Sequence, residues 1–124
     1  MLHDIFGEIT FDIGWKRETD ISLFGKNYTV KLKIQAYFEE DGITQEQEKS
    51  YLAYREDEAG KLHAAEALLR SYSDAPTTRF CPKTLLFGRD GSCALLFDDV
   101  EEPEEGIAVC LLPEEKVVSQ DEYL

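Results

Sequence analysis

Apolar and polar residues alternate along much of the N-terminal third of the chain. In "EITFDIGW", residues 8–15, Ile9, Phe11, Ile13 and Trp15 fall on one side, and Glu8, Thr10 and Asp12 on the other. A period of two predicts a strand with one buried face, Trp15 ending it in the core. "WKRETD" reads as a polar connection. Ile21 and Leu23 then make a short strand, and Gly25, Lys26 and Asn27 supply the residues a tight turn needs. The return strand is the clearest in the chain. Val30, Leu32, Ile34, Ala36 and Phe38 point inward, and Thr29, Lys31, Lys33, Gln35 and Tyr37 outward. One wet face is the mark of an antiparallel sheet. The outward lysines are set to pair across strands with Asp12 and Glu8.

The period changes after "EEDG". Thr44 and Gln47 have the spacing of a capping box, in which the threonine oxygen takes a free helix N–H and the glutamine reaches back. Tyr51, Tyr54 or Arg55, Ala59, Leu62, Ala65, Leu69 and Tyr72 then recur at spacings of three and four. This predicts a helical layer over about 44–73, as one long helix or as two with a break near residues 57–60. Gly60 favours a kink or break, because an interior glycine costs about 1 kcal/mol relative to alanine. Pro76 cannot continue the helix. The chain then returns to β: "KTLLFG" and "SCALLFDD" flank the turn Asp90-Gly91, "GIAVCLL" follows, "EKVVS" adds a short strand, and "QDEYL" is a tail. Two β runs around a helical middle predict a single α+β domain over residues 1–124. Its sheet is mostly antiparallel, with about six or seven strands and the helices packed on one face.

Composition narrows the picture. A chain of 124 residues that is 43% hydrophobic and 31% charged can bury a core without disulfides or metals. Cys81, Cys93 and Cys110 are odd in number and widely spaced, and the only histidines are His3 and His63. That argues against a disulfide framework and a zinc site, and the cysteines read as reduced core residues. No basic leader precedes an apolar stretch, and no apolar run approaches the roughly 18 residues of a spanning helix, so the expected compartment is the cytoplasm.

The charge is lopsided. Twenty-six acidic residues against 13 basic ones give a net −13. Such a chain lacks the positive footprint that nucleic acid or an anionic membrane surface requires. It would instead be drawn toward a cationic partner. Residues 98–122 hold ten acidic residues and one basic one, Lys116. The densest part is "LLFDDVEEPEEGIAV", with Asp98, Asp99, Glu101, Glu102, Glu104 and Glu105 between two strands. Like charges so close repel, and the loop is expected to be exposed and loose. Its only glycine, Gly106, lies at its end, unlike the turn glycine inside a calcium loop.

With Gly42 as the turn glycine of a calcium loop, Glu39, Asp41 and Glu48 fall on ligand positions. The first position is then Tyr37, which has no carboxylate, so the segment reads as a strand-to-helix turn with acids near a helix N-terminus. "LFGRDG" matches neither GxxxxGK[ST] nor GxGxxG, so no phosphate or dinucleotide cofactor is expected. His63 sits beside the helical stripe, and no spacing links it or His3 to a nucleophile. The expectation is a chain with no catalytic, cofactor-binding or metal-binding residues.

The chain resembles a group of small bacterial domains of unknown function. The resemblance lies in "GEITFDIGWKRETDISLFGKNYTVKLKI", "TQEQEKSYLAYRED", "ALLRSY" and "GIAVCLLPEEKVVSQDEYL", and above all in the closing Gln120, Asp121 and Leu124. Domains of this kind are discussed as candidate immunity proteins in toxin systems. The resemblance implies an immunity protein, and the acidic charge suits a non-enzymatic module that neutralises a basic toxin through its surface. The contact residues expected are Asp98, Asp99, Glu101, Glu102, Glu104 and Glu105, with Tyr123 as an aromatic contact. The competing expectation is a small-molecule-binding or regulatory domain with a pocket between sheet and helices.

Overall fold

The computed structural model describes residues 1–124. Seven strands form one sheet: β3 (Thr10–Phe11), β4 (Trp15–Leu23), β5 (Lys26–Ile34), β6 (Phe80–Phe87), β7 (Cys93–Asp99), β8 (Ile107–Leu112) and β9 (Lys116–Ser119). A separate two-residue pair, β1 (Leu2–His3) and β2 (Gly7–Glu8), precedes them. The helices are α1 (Gln45–Glu56), α2 (Glu58–Tyr72), α3 (Pro76–Arg79) and α4 (Gln120–Tyr123). This is the expected α+β class, and strand order across the sheet follows order along the chain. Every neighbouring pair is antiparallel except β5 and β6. The exception has a topological cause. The chain leaves the end of β5, passes through three helices and re-enters where β5 began, so the two strands run the same way.

Several local expectations are corrected. Residues 8–15 are not one strand. Ile13 and Gly14 have φ of 53° and 104°, and they reverse the chain so that Phe11 pairs with Trp15. Lys16 closes this turn on Asp12 at 2.9 Å, and Ile13 is 79% exposed at its tip. "WKRETD" is not a connection but the first six residues of β4. Its helix-side positions include Arg17, whose guanidinium donates to the carbonyl of Phe6 at 2.8 Å and the hydroxyl of Tyr51 at 2.8 Å. A partly covered arginine hid the strand from a hydrophobic pattern. The hairpin turn is Phe24-Gly25, with φ of 52° and 75°, and Lys26 and Asn27 already belong to β5. Glu66 of α2 accepts the Phe24 amide at 2.7 Å, and Arg70 lies 5.0 Å over the Phe24 ring, holding a non-glycine residue in a left-handed conformation. Phe38, expected inside, lies past the end of β5 and is 63% exposed. Lys31 stands opposite Glu18, not Glu8.

The helical layer is two helices. Asp57 leaves helical geometry, with φ −135° and ψ 45°, and its carboxylate lies over Gly60, where any Cβ would collide with it. Tyr51, Tyr54, Leu62, Ala65 and Leu69 form the buried stripe. They pack on Val30, Leu32, Ile34, Leu85, Phe87, Leu95 and Val109 in a core of 23 buried residues. Phe87 is fully buried, 5.5 Å from the Tyr51 ring and 6.1 Å from the rings of Phe6 and Tyr54. Trp15 is buried, as expected.

The capping box forms, and Gln47 does more than cap. Its Oε1 accepts the Thr44 amide at 2.8 Å, while its own amide donates to Thr44 Oγ1 at 3.1 Å. Its fully buried Nε2 also donates to the carbonyls of Gln35, just past β5, at 2.8 Å and of Phe87, ending β6, at 3.2 Å. One side chain thus ties the first turn of α1 to the ends of both parallel strands. Replacing it by a group of similar size without polar atoms leaves the Thr44 amide without a partner, at about 1–3 kcal/mol unless water reaches it, and takes one of two donors from each carbonyl, since Gln35 also accepts from Arg89 and Phe87 also accepts the Gln35 amide. Gln47→Leu is therefore expected to lower stability by about 1–3 kcal/mol, read as a lower urea midpoint at unchanged m-value.

Candidate interaction surface

The loop between β7 and β8 begins at a buried ion pair. Asp99 ends β7 and is 2% exposed. Arg79, at the end of α3, donates from Nε to Asp99 Oδ1 at 2.8 Å and from Nη2 to Oδ2 at 2.9 Å. This two-pronged geometry is the strong form of the pairing. Arg79 is itself held against the rings of Phe80, at 4.9 Å, and Tyr72, at 5.4 Å. The hydrogen bond from Arg79 holds the Asp99 carboxyl below the ordinary carboxylate range, and the Arg79 guanidinium is stabilised in turn. Asp99 therefore leaves the set of carboxylates a partner could touch, because its lone pairs are already engaged.

Asp98, Glu101, Glu102, Glu104 and Glu105 are all exposed, as is Val100. Their backbone is hydrogen-bonded. The amides of Val100, Glu102, Glu105 and Gly106 donate to the carbonyls of Arg79, Asp99, Glu102 and Glu102 respectively, at 3.0–3.2 Å. The Glu101 amide donates to Asp99 Oδ1 at 3.0 Å. The far end is closed by Gln120, whose Nε2 donates to the carbonyls of Phe97 at 2.8 Å and Ile107 at 3.3 Å. Gly106 has a φ of 65°, and a Cβ there would strike Gln120 and the Phe97 carbonyl, so glycine is required twice over. The carboxylates are exposed, as expected, on a hydrogen-bonded backbone.

Tyr123 does not join this surface. It is half-buried in α4, and its hydroxyl lies 3.3 Å from Ser92 Oγ, at the opposite end of β7. Burial raises its pKa. "QDEYL" is thus no free tail. Ser119 caps it by accepting the Glu122 amide at 3.1 Å, and Tyr123 and Leu124 border grooves with Leu86 on the sheet face away from α1 and α2.

Elsewhere the candidates separate. No group of three or more histidine, cysteine, aspartate or glutamate side chains is arranged to hold a metal ion. His3 Nδ1 accepts the amides of Ile5 and Phe6 at 3.1 and 3.2 Å, and His63 lies 3.3 Å from Glu66, so neither imidazole bonds a nucleophile. Burial pushes the thiols of Cys93 and Cys110 upward, which keeps them protonated and inert. One solvent-open cleft of about 390 Å³ lies between β4 and α2, lined by Asp20, Ile21, Glu58, Leu62 and Glu66 among others. No helix is long and apolar enough to cross a membrane. Compared with protein-family models, curated proteins and solved structures, the chain matches none.

The sequence shows the acidic loop but not the parts that Arg79 and Gln120 play in shaping it, Gln120 standing out there only for the resemblance. Both lie outside the loop in sequence, and nothing local marks them.

A carboxyl whose pKa is lowered by folding contributes stability above its unfolded pKa, near 3.9 for aspartate, and loses it as pH falls through the folded value. Asp99→Asn is expected to cost about 1–3 kcal/mol at pH 7, and the gap to the parent should shrink as pH drops below about 4. Urea unfolding of both proteins across that range reads the difference.

Proposed function

We propose that this chain is a non-enzymatic protein-interaction module that engages a basic polypeptide through the β7–β8 loop. The observation that carries the reading is five exposed carboxylates around exposed Val100 on a hydrogen-bonded loop, anchored by Arg79 and Asp99. A fixed backbone lowers the ordering cost of binding, and the carboxylates supply attraction before contact. The chain's net −13 extends that attraction beyond the loop. Val100 adds an apolar contact at the centre of the charged patch.

The specific form of this reading is an immunity protein, acting in the cytoplasm to neutralise a basic toxin. It is supported by the resemblance described above and by charge. An acidic surface mimics the phosphates that a nucleic-acid-cutting toxin binds in its positive cleft. A basic protein encoded beside this gene is the partner to test, by co-purification and then by association kinetics. Changing Glu101, Glu102, Glu104 and Glu105 together to glutamine is expected to weaken binding at least about tenfold at 0.1 M salt, mostly through a slower on-rate. Binding that is unchanged in this variant and insensitive to salt would sink the reading.

A further inference from the structure

β4 is nine residues long and paired along all of them with β5, but on its outer side β3 covers only Trp15 and Lys16. The two-residue turn at Phe24-Gly25 makes Leu23 and Lys26 a hydrogen-bonded pair, and the bonding alternates from there. The backbone N–H and C=O of Lys16, Glu18, Asp20 and Ser22 therefore point to the outer side. Lys16 spends its pair on Thr10, and the Glu18 carbonyl accepts from Arg17 Nη1 at 3.0 Å. Asp20 and Ser22 remain, with nothing in the fold paired to their outward groups.

Beside this edge lies the cleft between β4 and α2. Its floor is apolar, from Ile21, Ala59 and Leu62, and its charged side chains are Glu58 and Glu66, with His63 3.3 Å from Glu66 and no lysine or arginine. On the other face of β4, Glu18 and Asp20 are exposed. An extended segment laid along the edge would send alternate side chains to these two surroundings.

We propose that the outer edge of β4, at Asp20 and Ser22, is a docking site for an extended segment of another protein in which apolar and basic residues alternate. Main-chain bonds to Asp20 and Ser22 supply affinity, and the alternating side chains supply specificity. Apolar residues turn toward Ile21 and Leu62. A basic residue stands across from Asp20, where opposite charges stabilise a strand pair, while Glu18 already faces Lys31 of β5. A second copy of this chain fits worse. Antiparallel self-pairing about Asp20 would set two aspartates opposite each other, between two chains of net −13. Arg17 limits the site at its N-terminal end by occupying the Glu18 carbonyl, and so guards the edge against indiscriminate pairing. The proposal does not rest on the acidic loop, which is a separate surface.

The test uses the whole ¹⁵N-labelled chain and a capped seven-residue peptide alternating valine and lysine. Saturable one-to-one binding is expected, with amide exchange at Asp20 and Ser22 slowed about tenfold or more at saturation. Two modified peptides, N-methylated on alternate amides in opposite phase, leave the protein untouched. One should bind at least about tenfold more weakly and the other within about twofold of the parent, since only one phase faces the strand. A glutamate-for-lysine peptide should not bind. Equal sensitivity to both methylation phases, unslowed exchange at Asp20 and Ser22, no saturable binding, or a dimer formed through this edge each overturns the proposal. If the peptide binds the parent but not the variant with Glu101, Glu102, Glu104 and Glu105 changed to glutamine, and exchange at Asp20 and Ser22 is unmoved, the basic segment docks on the loop. That result ends the edge proposal and keeps the loop reading.

Discussion

The parallel seam between β5 and β6 is the constraint on which the rest of the fold depends. Parallel neighbours cannot be joined by a hairpin, so the chain must cross over the sheet, and the crossover is the whole helical layer. Its entry is set by the side chain of Gln47, which bonds the Gln35 and Phe87 carbonyls and the Thr44 amide at once. Arg89 reinforces the same point by donating to the carbonyls of Gln35 at 3.2 Å and Gly42 at 3.1 Å, while Thr44 Oγ1 donates to the Arg89 carbonyl at 3.0 Å. Every buried polar group in this knot has a partner, which is the condition under which such a network specifies one arrangement. With α1 fixed there, Tyr51 and Tyr54 come down on Phe87, and the core follows.

Much of this was legible in the sequence, and the parts that were not share a cause. The capping box, the Asp90-Gly91 hairpin and the split near Gly60 are local signals that the fold keeps, and the helical stripe is kept except at Ala59 and Tyr72, which are exposed. The strand at 8–15 failed because the period of two passes unbroken through a three-residue turn. Phe11 and Trp15 share a face on either side of it, while Ile13, between them, is at the tip. β4 failed for the opposite reason, because Arg17 occupies a helix-side position that the pattern reserves for apolar residues. The crossover direction was not written locally at all. It depends on where residue 80 rejoins the sheet, and only the assembled core decides that.

The acidic loop shows the same division. Six carboxylates in eight positions look alike in sequence, yet Asp99 is buried against Arg79 and the other five are exposed. The difference arises because strand alternation turns Asp98 outward and Asp99 inward, to where α3 delivers an arginine held between two aromatic rings. Removing Arg79 leaves the buried Asp99 charge without its partner, whereas removing Asp99 leaves Arg79 the exposed Glu101 at 3.6 Å, so the cost is asymmetric.

The topology also places the acidic surfaces relative to one another. β5 starts, β4 ends and β7 ends at the same end of the sheet, because β4 and β5 are antiparallel, β5 and β6 parallel, and β6 and β7 antiparallel. The Phe24-Gly25 turn and the β7–β8 loop are therefore both at that end, and the unpaired edge at Asp20 and Ser22 leads up to it. Exposed charges farther apart than a Debye length, about 8 Å at physiological salt, hardly interact. Each surface thus keeps its own local field, and both fields have the same sign. A cationic partner approaching this end meets attraction from either side, while a second copy of the chain meets repulsion. The order and direction of the seven strands are what bring those surfaces to a single end.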